Sequence, residues 1–457
     1  MSVNVQTTAA PRRGPNGSRI QALRRELAQP LFLNAYALML NTVVNSGLGL
    51  LYWLVAAHTY SDADVGRGNA LVSLMLLVSS LTQLNFSGAL VRFLPRSGTT
   101  SRRLLLTAYG LSSAFAVVGT TAVMAYCHLA RDPGDPLYVS APFAVWFVVS
   151  TTAWSLFNLQ DSALTGLRAS AWIPLENGIY GLVKLVLLVI VAQTSMTDGV
   201  FTSWTLPVVA LVVPVNLLIF RRVLPRHVQE TAAEQQPPSR ALLTRYMAGD
   251  YAGSVFRQLS STFLPVLVVA LLGPEQGAWF LPAQTIFSAL GLLQLAITSS
   301  LVVEAAKEPA AAARQARAML RRIAVTIMPA AVVVLIAAPL ILMLFGPTYS
   351  AGATDVLRLM MLALLPGIFI ALSITRWRLQ NRTGMLALMQ GVQAVMLLGG
   401  TVALAGRFGL AAVGWSVLAT ELLPALVLVP GTVRWLRSDR RAPRRSDDTT
   451  PIGSPLS

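Results

Sequence analysis

Apolar runs of about twenty residues, separated by short polar breaks, recur along the chain from residue 31 to residue 436. An α-helix rises about 1.5 Å per residue, so about 20 apolar residues cross the hydrocarbon core of a bilayer. Twelve spans are predicted: 31–57, 69–92, 104–128, 138–160, 171–193, 201–220, 245–272, 277–303, 319–345, 352–375, 385–405 and 410–436. Ten-residue stretches of alternating hydrophobicity, which would mark an outer-membrane barrel, are absent. The pattern predicts an all-α polytopic membrane protein. Its most polar connection, Arg221 to Thr244, divides the chain into halves at 31–220 and 245–436. Residues 1–30 and 437–457 read as polar, charged tails, the second of them disordered.

The halves are related. Shifting the first by 213 residues places Asn41 on Ser254, Asn45 on Gln258, Asn177 on Gln390 and Gly178 on Gly391. A constant offset with an even number of spans in each half describes a parallel repeat, whose axis lies along the membrane normal. Twelve helices in two six-helix lobes are therefore expected.

Charge fixes the orientation. The chain has 457 residues, 54% hydrophobic and only 12% charged, against roughly 25% charged in a soluble domain. Its net charge of +16 is almost all arginine, and Lys184 and Lys307 are the only lysines. A soluble protein so basic would suggest nucleic acid. Here the arginines fall in the tails and in every second connection, including Arg92, Arg96, Arg102 and Arg103 after the second span. The other connections hold only Arg67, Arg131 and Arg407. The positive-inside rule puts both termini in the cytoplasm. The lone Cys127 rules out an intramolecular disulfide and a Cys-rich metal site. No GxxxxGK[ST] loop and no HExxH helix is present, so neither an ATPase nor a zinc hydrolase is expected, and no cofactor.

Polar stripes break the apolar pattern twice. In RYMAGDYAGSVFRQLSS, residues 245–261, one helical face collects Tyr246, Asp250, Ser254, Arg257, Gln258 and Ser261. The first span carries Asn34, Asn41 and Asn45, with Gly49 and Tyr52 on the same face. Charged and amide side chains at membrane depth face a wet cavity or other helices and not lipid. Two equivalent stripes suit a cavity between the lobes. The competing reading of each asparagine is a hydrogen bond between packed helices, worth on the order of 1 kcal/mol.

Several stretches resemble the polysaccharide-export branch of the multidrug/oligosaccharidyl-lipid/polysaccharide (MOP) flippase superfamily. They are FSGALVRFLPRSG (86–98), LTGLRASAWIPLENGIYGLVKLVLLV (164–189), RLQNRTGMLALMQGVQAVMLL (378–398) and RFGLAAVGWSVLATELL (407–423). The resemblance implies a V of two six-helix lobes working by alternating access. Its substrate would be a polyprenyl-pyrophosphate-linked oligosaccharide, carried across the bacterial cytoplasmic membrane for surface polysaccharide assembly. Glycosyltransferases and a polysaccharide polymerase would be partners, and the membrane potential, H+ or Na+ could each contribute to the coupling. An exporter of drugs on the same fold is the alternative, with a membrane glycosyltransferase or polymerase behind it; short outer connections speak against those enzymes.

An ionisable side chain near the bilayer centre costs roughly 2.5–3.5 kcal/mol on insertion scales, so each needs a partner or a purpose. Arg257 is the first candidate for the pyrophosphate, through bidentate hydrogen bonds. Asn41, Asn45 and Gln258 share its predicted cavity. Arg92 either snorkels to headgroups or captures the incoming pyrophosphate. Lys184 either contacts substrate or pairs with Glu176. Asp250 either carries a coupling ion or neutralises the basic rim. Glu421, mid-span with no obvious neighbour, is a second ion-coupling candidate. Asp355 and Arg358 read as a local pair.

Overall fold

The computed structural model describes residues 30–438, apart from residues 195, 197, 232–238, 308–311 and 381. Regular structure among them is entirely helical. The first half forms α1 (Pro30–Thr59), α2 (Asp62–Thr82), α3 (Phe86–Phe93), α4 (Ser101–Leu129), α5 (Ala141–Gly166), α6 (Ile173–Ala192), α7 (Gly199–Leu218) and α8 (Leu224–Thr231). The second forms α9 (Arg240–Gln258), α10 (Leu264–Leu272), α11 (Pro274–Lys307), α12 (Ala312–Met343), α13 (Pro347–Leu379), α14 (Thr383–Phe408) and α15 (Ala411–Ser438). Eleven stretches among the described residues are long and apolar enough to cross a membrane. With α1, which covers the predicted first span, they make the expected twelve.

Two spans are interrupted where the sequence predicts continuity. The second starts earlier than predicted and ends at Thr82; Leu84 and Asn85 then take left-handed φ angles of 47° and 63° before α3 begins. A left-handed residue costs roughly 1–2 kcal/mol for an L side chain. Side chains bridge the gap, with Gln83 Nε2 donating to Ser79 Oγ at 3.1 Å and Ser87 Oγ donating to Gln83 Oε1 at 2.9 Å. The seventh span carries a π-helical turn, Leu259–Phe263, between α9 and α10. Its cause is Pro265, which has no N–H to offer the carbonyl four residues back and whose ring crowds it. That carbonyl belongs to Ser261, and Gln284 Nε2 of α11 donates to it instead at 2.9 Å.

The helices sort into two groups by contact. In the first, α6 packs on α1 and α7, and α5 on α3, α4 and α7. In the second, α13 packs on α11, α12 and α15, and α14 on α9 and α15. The repeat is visible in the equivalent pairs α1–α6 and α9–α14. A Cβ on Gly178 of α6 would lie 4.0 Å from Val44, and one on Gly391 of α14 would lie 3.5 Å from Phe256. The two glycines that match in sequence thus make the same helix-to-helix approach in each half.

The groups meet along α2, which packs on α10 and α11. At the end away from the arginine-rich connections the backbones nearly touch. A Cβ on Gly66 would lie 1.7 Å from Pro274 O and 2.8 Å from Ala278 N. Trp279 Nε1 donates to Asp62 Oδ2 across the same seam at 2.9 Å. Nearer the arginine-rich end Tyr251 Oη donates to Leu81 O at 2.8 Å, and the Arg92 guanidinium lies 4.8 Å from the Tyr246 ring centre.

Candidate functional site

A cavity of about 660 Å3 lies inside the second group. It is built from five spans. The α9–α10 span gives Arg257, Ser260, Ser261 and Leu264, and α11 gives Gln284, Phe287 and Ser288. Arg378 and Thr375 come from α13, Gln390 and Gln393 from α14, and Thr420 and Glu421 from α15. Arg257, Ser260 and Ser261 are three and four positions apart, so they share one face of the span and all stand on the wall. Glu421 Oε1 accepts from Gln393 Nε2 at 3.2 Å, and Gly367 of α13 leaves room for the other oxygen, 3.1 Å from where a Cβ would stand. The wall is therefore two guanidiniums, one carboxylate tied to an amide, further amides and hydroxyls, and an apolar side of Leu264, Phe287, Met360 and Leu397.

A smaller cleft of about 140 Å3 joins the groups. Ser80, Gln83, Asn85 and Ser87 line it from the break in the second span, and Tyr251, Arg257 and Gln258 from α9. Arg257 is exposed and borders both spaces. Left-handed residues in otherwise regular helices cluster at functional sites, because the strain has to be held by surrounding structure.

Solved structures share this arrangement. One, described as the inward-facing conformation of a multidrug resistance MATE family transporter of the MOP superfamily, superposes with a TM-score of 0.64 at 15% identity. The match covers 88% of this chain and 96% of that one. A MATE structure in complex with MaL6 gives 0.61 at 16% identity, over 89% and 96% of the two chains. A Pyrococcus furiosus MOP superfamily transporter, described as having a binding pocket of reverse polarity that suggests a different function, gives 0.61 at 14%, over 89% and 95%. The chain has the MOP transporter fold. No family model matches it. No curated protein matches it in sequence.

On the MOP fold the predicted site residues scatter. Arg257 and Glu421 come together on the wall of one cavity, although they are 164 positions apart in sequence. Gln258 lies in the interlobe cleft, its Nε2 donating to Thr262 Oγ1 at 2.9 Å. Asn45 Nδ2 donates to Asn41 Oδ1 at 3.5 Å, a weak bond within α1 and not between helices. Neither asparagine lines the two spaces described above. Arg92 is exposed and stacks on Phe93 and Tyr246, which joins the lobes near the basic end. Lys184 does not pair with Glu176. It is 4% exposed, with Nζ 3.6 Å from the Trp204 ring centre, 4.8 Å from Tyr180 and 5.2 Å from Tyr52. Arg358 Nε donates to Leu335 O at 3.4 Å in place of a pair with Asp355. The Asp250 side chain lies outside the described residues.

Gln284, Gln390 and Gln393 were missed as site residues. Their signal was present: each is an amide inside an apolar run, Gln390 and Gln393 one helical turn apart, and Gln390 matches Asn177 in the repeat. An amide in a span is ordinary helix-to-helix glue, however, and only the packing shows that these three face a cavity.

Proposed function

We propose that this chain is a transporter of the bacterial cytoplasmic membrane that moves a polyprenyl-pyrophosphate-linked oligosaccharide between leaflets by alternating access, for surface polysaccharide assembly. The observation that carries the reading is the cavity wall, where Arg257 and Arg378 stand among glutamines, serines and threonines. Guanidiniums hold phosphate oxygens bidentately, and amides and hydroxyls match the donors and acceptors of a sugar. The positive-inside pattern places the arginine-rich end in the cytoplasm. Since the two groups are pressed together at the opposite end through Gly66 and Pro274, the state described is closed outward. The lipid tail stays in the bilayer while the head crosses. No step in this reading makes or breaks a covalent bond, so the chain is a carrier and not an enzyme.

The second reading, an exporter of organic cations, rests on Glu421 and on the apolar wall at Leu264, Phe287 and Met360. One experiment separates the two. Arg257→Ala is introduced in the native host, with membrane levels of the protein followed by immunoblot. Polymer export is expected to fall at least tenfold at unchanged protein level. Normal export would remove Arg257 from the mechanism, and drug sensitivity with intact export would favour the second reading.

A further inference from the structure

The third span of each half carries one pattern that the cavity does not use. SRRLLLT (101–107) opens α4, and LRRIAVT (320–326) lies in α12, 219 positions later. In both, two adjacent arginines are followed by an apolar residue and then a threonine, one helical turn further on. These are Arg102, Arg103, Leu106 and Thr107 in the first lobe, and Arg321, Arg322, Val325 and Thr326 in the second. The packing is equivalent too, with α4 on α5 and α2, and α12 on α13 and α11. Leu105 and Ala108 bury the inner face of α4, and Ile323 and Ile327 that of α12. The four arginines and both threonines are exposed, as are Leu106 at 49% and Val325 at 68%.

Helix length places both pairs at the bilayer surface. At a rise of about 1.5 Å per residue, Arg103 stands about 39 Å before the end of α4 at Leu129, and Arg322 about 32 Å before the end of α12 at Met343. The hydrocarbon core is about 30 Å thick, so the guanidiniums reach headgroup level at the arginine-rich end. Leu106 and Val325, one turn further in, begin an exposed apolar lane. It continues with Phe115, Val117 and Val118 on α4, and with Val332, Ile336 and Leu340 on α12. Neither helix contains an aspartate or a glutamate. The ion pairs among the described residues, Arg67–Asp198, Arg131–Asp135 and Arg226–Glu230, do not include these four arginines.

A ligand for such a place is anionic at one end and apolar at the other. Adjacent guanidiniums offer bidentate hydrogen bonds to phosphodiester oxygens, and the threonine hydroxyl one turn deeper has a proton for an ester oxygen. A zwitterionic headgroup brings its own ammonium, which the two guanidiniums repel; a headgroup of net negative charge does not. A free anion would leave the apolar lane uncovered. We propose that each lobe carries one docking site for an anionic diacyl phospholipid, at Arg102, Arg103 and Thr107 in the first lobe and at Arg321, Arg322 and Thr326 in the second, with the acyl chains lying along α4 and α12. A shallow depression lined by Thr99, Arg102, Arg103, Leu106 and Thr107 shapes the first of them. The internal repeat relates the two, so both lobes are anchored through the same span to the same leaflet. Neither site borders the cavity of Arg257, so lipid docking is independent of what the transporter carries.

The test is native mass spectrometry of the full-length protein in detergent, titrated with phosphatidylglycerol or with phosphatidylethanolamine of the same chains. Phosphatidylglycerol should occupy two sites about 30-fold more tightly than phosphatidylethanolamine, a factor of about five for each arginine of a pair. Arg102→Gln with Arg103→Gln should remove one tightly bound molecule, and Arg321→Gln with Arg322→Gln the other. Arg221→Gln with Arg222→Gln takes the same charge from an exposed pair that has no hydroxyl within one turn, and should keep both. Thr107→Val should weaken the first-lobe molecule about fivefold, the loss of one hydrogen bond. Melting temperatures in detergent confirm that each variant is folded. Equal binding of the two lipids by the wild type, which needs no variant, would overturn the proposal. So would unchanged stoichiometry in both pair variants, the same loss in the Arg221 and Arg222 control, or displacement of the lipid by inorganic phosphate alone.

Discussion

Gly66→Ala adds one methyl group at the tightest contact between the lobes. The new Cβ would stand 1.7 Å from Pro274 O and 2.8 Å from Ala278 N, both backbone atoms in a helix that packs on α10 and α13. Neither can swing aside as a long side chain would. Ordinary contact begins near 3.4 Å, so α2 and α11 have to part by about 1.7 Å at this end. The same movement stretches the 2.9 Å bond from Trp279 Nε1 to Asp62. Overpacking of this kind costs roughly 1–3 kcal/mol. The penalty falls only on the state with the seam closed, so the ratio of seam-open to seam-closed molecules should rise roughly 5- to 150-fold. The measurement is electron–electron double resonance on Cys127→Ser protein carrying spin labels at Asp132 and Arg407, exposed positions near the seam end of each lobe. The long-distance population should grow in Gly66→Ala and not in Gly49→Ala, where nothing lies within 4 Å of the added carbon. An unchanged distance distribution would refute the reasoning, since it would mean that the closed contact tolerates a methyl group and does not set the equilibrium between states.

Further outcomes follow from other contacts. Trp204 touches Tyr52, Trp53, Trp154, Tyr180 and the Lys184 ammonium, so Trp204→Ala should cost about 3–5 kcal/mol and lower the melting temperature measured in detergent. Arg67 ties α2 to two other segments through Asp198 at 3.0 Å, Pro136 O at 2.6 Å and Tyr138 O at 2.9 Å. Arg67→Met should cost roughly 1.5–3 kcal/mol, read as faster proteolysis of the loop at 131–140, with an intact loop counting against the staple.

Sequence alone determined the class of this protein, its span count and its internal repeat, because each depends on local composition. Twenty apolar residues have to become a membrane helix whatever surrounds them. The repeat was legible because Gly178 and Gly391 answer the same local need, room for the neighbouring helix. Arg257 and Glu421 were legible one at a time, as charged residues inside predicted spans. That they share a wall was not, since the sequence separates them and only the packing of α14 between α9 and α15 brings them together. Lys184 shows the converse. Its depth suggested a ligand or a carboxylate partner, and the fold supplied three ring faces from α1, α6 and α7. The breaks in the second and seventh spans also needed tertiary structure: Pro265 announces a defect, but whether it becomes a kink or a π turn depends on Gln284 arriving to take the freed carbonyl. Local physics chose the helices, and the contacts between them decided which polar groups line a cavity and which meet each other.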